Sequence, residues 1–182
     1  MRWISRVVTV VLLAGCSLYA AGELSNRRAP GFSLPDVNLA QHDLADYRGK
    51  LVLLDIMQTG CPHCKVFTKI LDEVRAKYGD KVAILSVVNP PSTQATVNRY
   101  LADTNTTAPI LFDCGQVAAS YLRVTPKNPR INVPHVFLID SNGWIVNDWG
   151  YGPTTKGIFE GRDLFPEVEK SLKQGSRPAG KK

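Results

Sequence analysis

Leu51-Val52-Leu53-Leu54-Asp55-Ile56, a gap of four residues, Cys61-Pro62-His63-Cys64, and then apolar residues at Val66, Ile70, Leu71 and Val74 form the stretch that decides the fold. The first piece is a continuous apolar run interrupted by one carboxyl, the pattern of a strand buried on both faces. The last piece repeats its apolar residues at helical spacing, so a helix is expected over 62–78. Two cysteines therefore open a helix at the end of a buried strand. A cysteine there faces unpaired amide N–H groups and the positive end of the helix dipole, which favour thiolate over thiol. Cys61 is the expected nucleophile. Pro62 costs nothing at the first helical position, because its missing N–H had no intrahelical partner. Cys64, one turn on, shares the face of Cys61 and can attack a mixed disulfide formed there. His63 adds a donor or partial positive charge beside the pair, tuning it toward the thiolate.

Working outward, Val82 to Val88 reads as a second buried strand, Thr93 to Leu101 as a helix, Ile110 to Phe112 as a short strand and Gln116 to Leu122 as a short helix. Val136 to Asp140 and Trp144 to Val146 flank Ser141-Asn142-Gly143, a hairpin in which Asn-Gly supplies positive φ angles. A last helix is expected from Gly157 to Leu172. Strand–helix–strand followed by a hairpin and a closing helix predicts an α/β fold, a mixed central sheet flanked by helices. The chain of 182 residues has room for one such domain and an N-terminal extension.

That extension begins with Arg2 and Arg6, continues as the short apolar run Val7 to Leu13, and ends in Leu13-Ala14-Gly15-Cys16. The run is too short for a spanning helix of about 20 residues and reads as a secretory signal. Its end resembles the bacterial lipobox, which implies a lipoprotein signal peptide over 1–15 and lipidation of Cys16. Cleavage near Ala20 to Gly22 with loss of Cys16 is the alternative, although Tyr19 breaks the small-x-small rule for a cut after Ala21. Residues 16–28 read as a tether, with a reach of about 45 Å at roughly 3.5 Å per residue. The domain is expected over 29–173, and 174–182 as a disordered basic tail. Export places the thiols in an oxidising compartment.

The net charge of +6 invites a nucleic-acid partner, but the distribution excludes it. Arg2, Arg6, Lys181 and Lys182 lie in the leader and tail. The rest alternate with acids, as in Asp72-Glu73-Val74-Arg75-Ala76-Lys77, which is the pattern of a solvated face.

Ala29-Pro30-Gly31-Phe32-Ser33-Leu34-Pro35, Tyr47-Arg48-Gly49-Lys50-Leu51-Val52-Leu53-Leu54-Asp55, the dithiol, and Val133-Pro134-His135-Val136-Phe137-Leu138-Ile139-Asp140 together resemble the TlpA/ResA branch of thioredoxin-like proteins. The resemblance covers roughly residues 29 to 150. It implies a thioredoxin-like fold and a redox-active disulfide between Cys61 and Cys64, with no cofactor. It also implies a cis Pro134 beside the dithiol, with Val133 offering its backbone to a bound peptide. Partners would be protein thiols and disulfides on the periplasmic side, with a membrane redox partner. Asp55 stands where thioredoxin carries a buried aspartate, suited to taking the Cys64 proton. Many similar sequences carry Asn there. The competing reading is a strand-end carboxylate bonded to nearby backbone N–H groups.

Three features depart from that pattern. Gly60 stands where the family usually has Trp, so the surface beside Cys61 is less covered. Pro62-His63 is the dipeptide of DsbA oxidases on the framework of a reductase. Thr125 to Asn132, with Lys127 and Arg130, adds a basic rim ahead of Pro134. Reductase and oxidase use the same residues and differ in potential, where about 30 mV is worth about 1.4 kcal/mol. A peroxiredoxin-like peroxidase is a rival, but Gln58 stands where that family needs Thr or Ser, and no proline lies between Leu51 and Cys61. A copper-binding module using Cys61, Cys64 and a histidine is another; structural zinc would need two further close ligands. Cys114 is read as a partly buried thiol, and His42 and His135 as surface and strand-face residues.

Overall fold

The computed structural model describes residues 22–175. The expected leader 1–15, Cys16 and tail residues 176–182 lie outside them. Among the described residues the strands are β1 (Arg27–Arg28), β2 (Ser33–Pro35), β3 (Gln41–Asp43), β4 (Leu51–Met57), β5 (Val82–Val88), β6 (Ile110–Phe112), β7 (His135–Ile139) and β8 (Trp144–Gly150). The helices are α1 (Pro62–Tyr78), α2 (Gln94–Thr104), α3 (Gln116–Leu122), α4 (Lys156–Phe159) and α5 (Leu164–Gln174). Six strands form one sheet in the order β1-β8-β7-β4-β5-β6, with β2 and β3 as a separate hairpin. β5 runs parallel to both β4 and β6, while β7 is antiparallel to β4 and β8. This is the expected thioredoxin-like mixed sheet.

β4 lies at the centre, every residue buried. Strand side chains alternate between faces, and the two faces have different partners. Val52, Leu54 and Ile56 pack with Phe32, Leu44, Val117 and Tyr121. Leu51 and Leu53 pack with Phe67, Leu71 and Val74 of α1, and with Phe159 and Val168. Asp55 is in the same alternation as Leu51 and Leu53, so the central carboxyl faces α1.

Three expectations are corrected. The chain joins the fold before residue 29: β1 pairs with β8, and Arg27 donates to the carbonyls of Ser120 and Tyr121 at 3.3 and 2.6 Å. These are C-terminal carbonyls of α3 with no helical partner, so a cation there satisfies them. Residues 22–28, read as tether, are therefore part of the domain. The single closing helix is two. Gly161 takes φ +84° between α4 and α5, a conformation that ends a helix. In the β7–β8 turn only Gly143 has positive φ. Asp140, expected as strand, builds that turn instead, accepting the N–H groups of Asn142 and Trp144 at 3.0 and 2.9 Å.

Gly161→Ala should destabilise the domain by about 1–2 kcal/mol. An alanine there adopts a left-handed backbone, and its Cβ would sit 3.2 Å from the side chains of Ile70 and Phe165. Urea unfolding checks this; an unchanged midpoint would show that the α4–α5 break does not depend on glycine.

Candidate active site

The junction of β4 and α1 sets the geometry. Cys61 is the N-cap of α1, with extended backbone at φ −86° and ψ 118°, and Pro62 opens the helix. An N-cap side chain normally offers oxygen to the orphan N–H groups of the first turn. Here sulfur takes that place: Cys64 N–H donates to Cys61 Sγ at 3.3 Å. Cys61 is half-buried, whereas Cys64 is fully buried beneath it against Met57, Val88, Val97 and Tyr100. Burial pushes the Cys64 thiol well up, and the Asp55 charge pushes it further. The two thiols share a face of the helix but not an environment.

Asp55 is wholly buried, and neither carboxyl oxygen has a hydrogen-bond partner among the described residues. The reading of a carboxylate tied to backbone N–H groups is therefore corrected, because β4 and its neighbours spend those groups on sheet pairing. Desolvation raises the Asp55 carboxyl to about 8. Beside it lies a buried pair not expected from sequence, Tyr100 hydroxyl and Thr68 Oγ1 at 2.7 Å. Burial pushes the Tyr100 phenol up, and the charges of Asp55, Cys64 and Cys61 are all felt there. The sequence marks Thr93 to Leu101 only as a helix and gives no hint of this polar contact.

Val133–Pro134 is cis, as the resemblance implied. Pro134 is buried, and Val133 O lies 3.8 Å from Cys61 Sγ. The N–H of Val133 makes no hydrogen bond among the described residues. Tyr151 N–H donates to Pro134 O at 3.0 Å, and the Tyr151 ring stacks on His63 with centroids 4.1 Å apart. Tyr151 thus links the residue between the cysteines to the proline; nothing in its sequence context marked it. Gly60, exposed, leaves open space beside Cys61. Lys127 and Arg130 are exposed on the segment before Val133, which turns back on itself through Thr125 and Asn128.

His135 follows Pro134 but is turned to the far strand, where Nε2 meets Asp148 Oδ2 at 3.1 Å. The same carboxylate accepts the Ser25 hydroxyl and, at 3.1 Å, the Leu24 N–H. Burial alone would raise Asp148, but its bonds to His135 and Ser25 hold it below the usual carboxylate range. His42 is held by Tyr47 at 2.8 Å and Asp36 at 3.2 Å. Cys114 is exposed rather than partly buried, because its neighbour Asp113 turns inward to receive the N–H groups of Val117 and Ala118. Among the described residues no three His, Cys, Asp or Glu side chains cluster as metal ligands.

Residues 26–147 match the AhpC/TSA family. The chain is 25% identical over 169 residues to the thioredoxin-like protein YneN of Bacillus subtilis, covering 87% of this chain and 95% of that one. It is 30% identical over 115 residues to the thiol-disulfide oxidoreductase ResA of Geobacillus kaustophilus, covering 63% of each. Among solved structures, the exposed lipoprotein thioredoxin of Streptococcus pneumoniae strain TIGR4 shares the fold with a TM-score of 0.63 at 22% identity, over 78% of this chain and 99% of that one.

The Asp55 carboxyl, near 3.8 when solvated and about 8 when folded, keeps a proton that the unfolded chain has released between those values. Stability of the reduced protein should therefore fall as pH rises through that window, by up to about 1.4 kcal/mol per unit. Asp55→Asn should flatten the slope and be the more stable protein at pH 8. Urea unfolding at pH 5 and pH 8 measures this, and equal slopes in both proteins would assign the dependence elsewhere.

Proposed function

The chain belongs to the AhpC/TSA family, and from that premise we propose that it is an extracytoplasmic thiol–disulfide oxidoreductase. It exchanges disulfides with protein substrates through Cys61 and Cys64. The observation that carries this reading is the division of labour between the sulfurs. One is reachable and receives a helix-terminal N–H; the other is buried beside an unpartnered carboxyl. The thiol-disulfide oxidoreductases among its relatives support the same activity. Within the family a peroxidase is disfavoured by Gln58, which stands where peroxide-binding relatives need Thr or Ser.

In the reducing direction Cys61 thiolate attacks one sulfur of the substrate disulfide. That S–S bond breaks, one substrate sulfur leaves as thiolate, and a mixed disulfide forms at Cys61. The N–H of Val133, which has no partner among the described residues, and its carbonyl, 3.8 Å from Cys61 Sγ, can pair with the substrate backbone. Cys64 then gives its proton to Asp55 carboxylate and attacks Cys61 Sγ, releasing the second substrate sulfur. The enzyme ends as the Cys61–Cys64 disulfide, and two electrons have passed to substrate. A carboxyl near 8 is mostly protonated at neutral pH, so this step draws on the ionised minority of Asp55 and quickens as pH rises toward 8. Oxidation of a substrate dithiol is the same path reversed.

Among the described residues no helix is long and apolar enough to cross a membrane. Membrane attachment in this reading rests on Cys16. Gly22 is already bonded to Asn147 of β8, so a lipid on Cys16 would sit six residues ahead of that contact. The dithiol then works close to the membrane surface.

Cys61→Ser should abolish disulfide exchange, and Cys64→Ser should accumulate mixed disulfides with partners. Faster alkylation of Cys64 than of Cys61 in the reduced protein would reverse the assignment. Cys16→Ala should leave an unprocessed precursor without lipid. Mass spectrometry finding a free N-terminus near Ala21 to Glu23 would instead make the enzyme soluble, with its chemistry unchanged.

A further inference from the structure

Between α1 and α2, on the Gly60 side of Cys61, lies a cleft of about 230 Å³. Its floor is the buried Tyr100, and its walls carry Thr59, Lys65, Arg99 and Asp103. Gly60 closes none of it, since even a Cβ at that position would meet nothing within 4 Å. The charges do not balance. Lys65 Nζ is committed to Asp103 Oδ2 at 2.8 Å and lies over the Tyr100 ring, 5.9 Å from its centroid. Asp103 is the acid of the cleft; the Lys65 hydrogen bond, and after it the Arg99 charge, hold its carboxyl below the usual range. Arg99 is exposed and forms no hydrogen bond or ion pair among the described residues. One cation is left over, and it is a guanidinium, the group suited to gripping a carboxylate with two parallel hydrogen bonds.

Cys61 is also bordered by the backbone of Val133, next to the cis Pro134. Gly60, the residue before Cys61, lines this cleft, and Val133 O lies 3.8 Å from Cys61 Sγ, so main chain and cationic cleft both border the approach to Cys61. We propose that the cleft is a subsite for a carboxylate carried next to the reacting sulfur of the substrate, bound by Arg99. The inference rests on the exchange activity proposed above and adds a preference among its substrates. The carboxylate is supplied either by an acidic residue flanking a protein cysteine or by a small acidic thiol of the glutathione class. Lys65 and Asp103 hold the cleft open and position the charge; neither is needed for the exchange itself.

The test is the rate at which the reduced full-length protein is oxidised by oxidised glutathione, which bears four carboxylates, relative to neutral 2-hydroxyethyl disulfide. A cation about 4 Å from a carboxylate, both fully solvated, is worth about a factor of five. Arg99→Gln should lower the ratio of the two rates about fivefold, and Arg99→Lys should restore part of it. Lys69→Gln, one helical turn from Lys65, should leave the ratio unchanged. A ratio unmoved by Arg99→Gln, or moved equally by Lys69→Gln, would overturn the subsite while exchange itself stands. If neither disulfide oxidises the protein, the exchange reading fails, which is a separate result. Mixed-disulfide formation with cysteine peptides carrying Glu or Gln beside the cysteine separates the two sources. A Glu preference lost in Arg99→Gln points to protein segments, and a charge effect confined to glutathione points to the small thiol.

Discussion

The hydrogen bond from the Cys64 N–H to Cys61 Sγ is the contact on which the rest of the site depends. It forms only because a helix starts at residue 62, and the helix starts there because β4 ends in the sheet centre and α1 is pressed onto that sheet. Phe67, Leu71 and Val74 are fully or nearly fully buried against the β4 face that carries Leu51 and Leu53. A buried side chain of this kind contributes about 1.5–3 kcal/mol, so the three together fix the helix axis firmly. The orphan N–H groups of the first turn must then find an acceptor. With sulfur at the cap, the Cys64 N–H finds Cys61 Sγ, the proposed nucleophile.

Asp55 is the counterpart of that arrangement. A carboxyl in a strand otherwise made of Leu, Val, Ile and Met stabilises nothing through hydrogen bonds here. An unpaired buried polar group costs on the order of 1–3 kcal/mol, and an apolar residue would fit the sheet better. The site keeps it neutral at low pH and lets it titrate near 8. Its influence reaches Cys64 and Tyr100, which are both buried and both pushed toward their protonated forms. A disfavoured group at the centre of a fully buried strand is what the proposed proton transfer from Cys64 requires.

Much of this was legible in the sequence, for a physical reason. β4, β5, α1 and α2 announce themselves by runs and spacing, which record burial along one element. The dithiol was placed by its position at the strand–helix junction, and the cis Pro134 by resemblance. What escaped were contacts between distant parts of the chain. Arg27 on the α3 carbonyls, Tyr151 on His63, Tyr100 on Thr68 and Asp148 on Ser25 each join polar or aromatic groups with no periodic signature. The closing helix was misread because Gly161 interrupts an otherwise continuous apolar pattern, and a single glycine inside such a pattern is often tolerated.

Those distant contacts also tie the two ends of the reading together. Leu24 and Ser25 are bound by one oxygen of Asp148, and the other oxygen holds His135. His135 is bonded in sequence to Pro134, whose carbonyl is held by Tyr151 and whose neighbour Val133 lies against Cys61. Gly22 itself donates to Asn147 Oδ1 at 3.0 Å. The chain arriving from the N-terminus is therefore clamped to β8 through the same buried carboxylate that steadies the residue after the cis-proline. Had residues 22–28 been a loose tether, the dithiol could turn freely relative to whatever lies upstream. The direction in which the domain leaves its N-terminal segment is set by the sheet that carries the proline loop. The proline loop and the chain entering the domain are thus held by one carboxylate, Asp148.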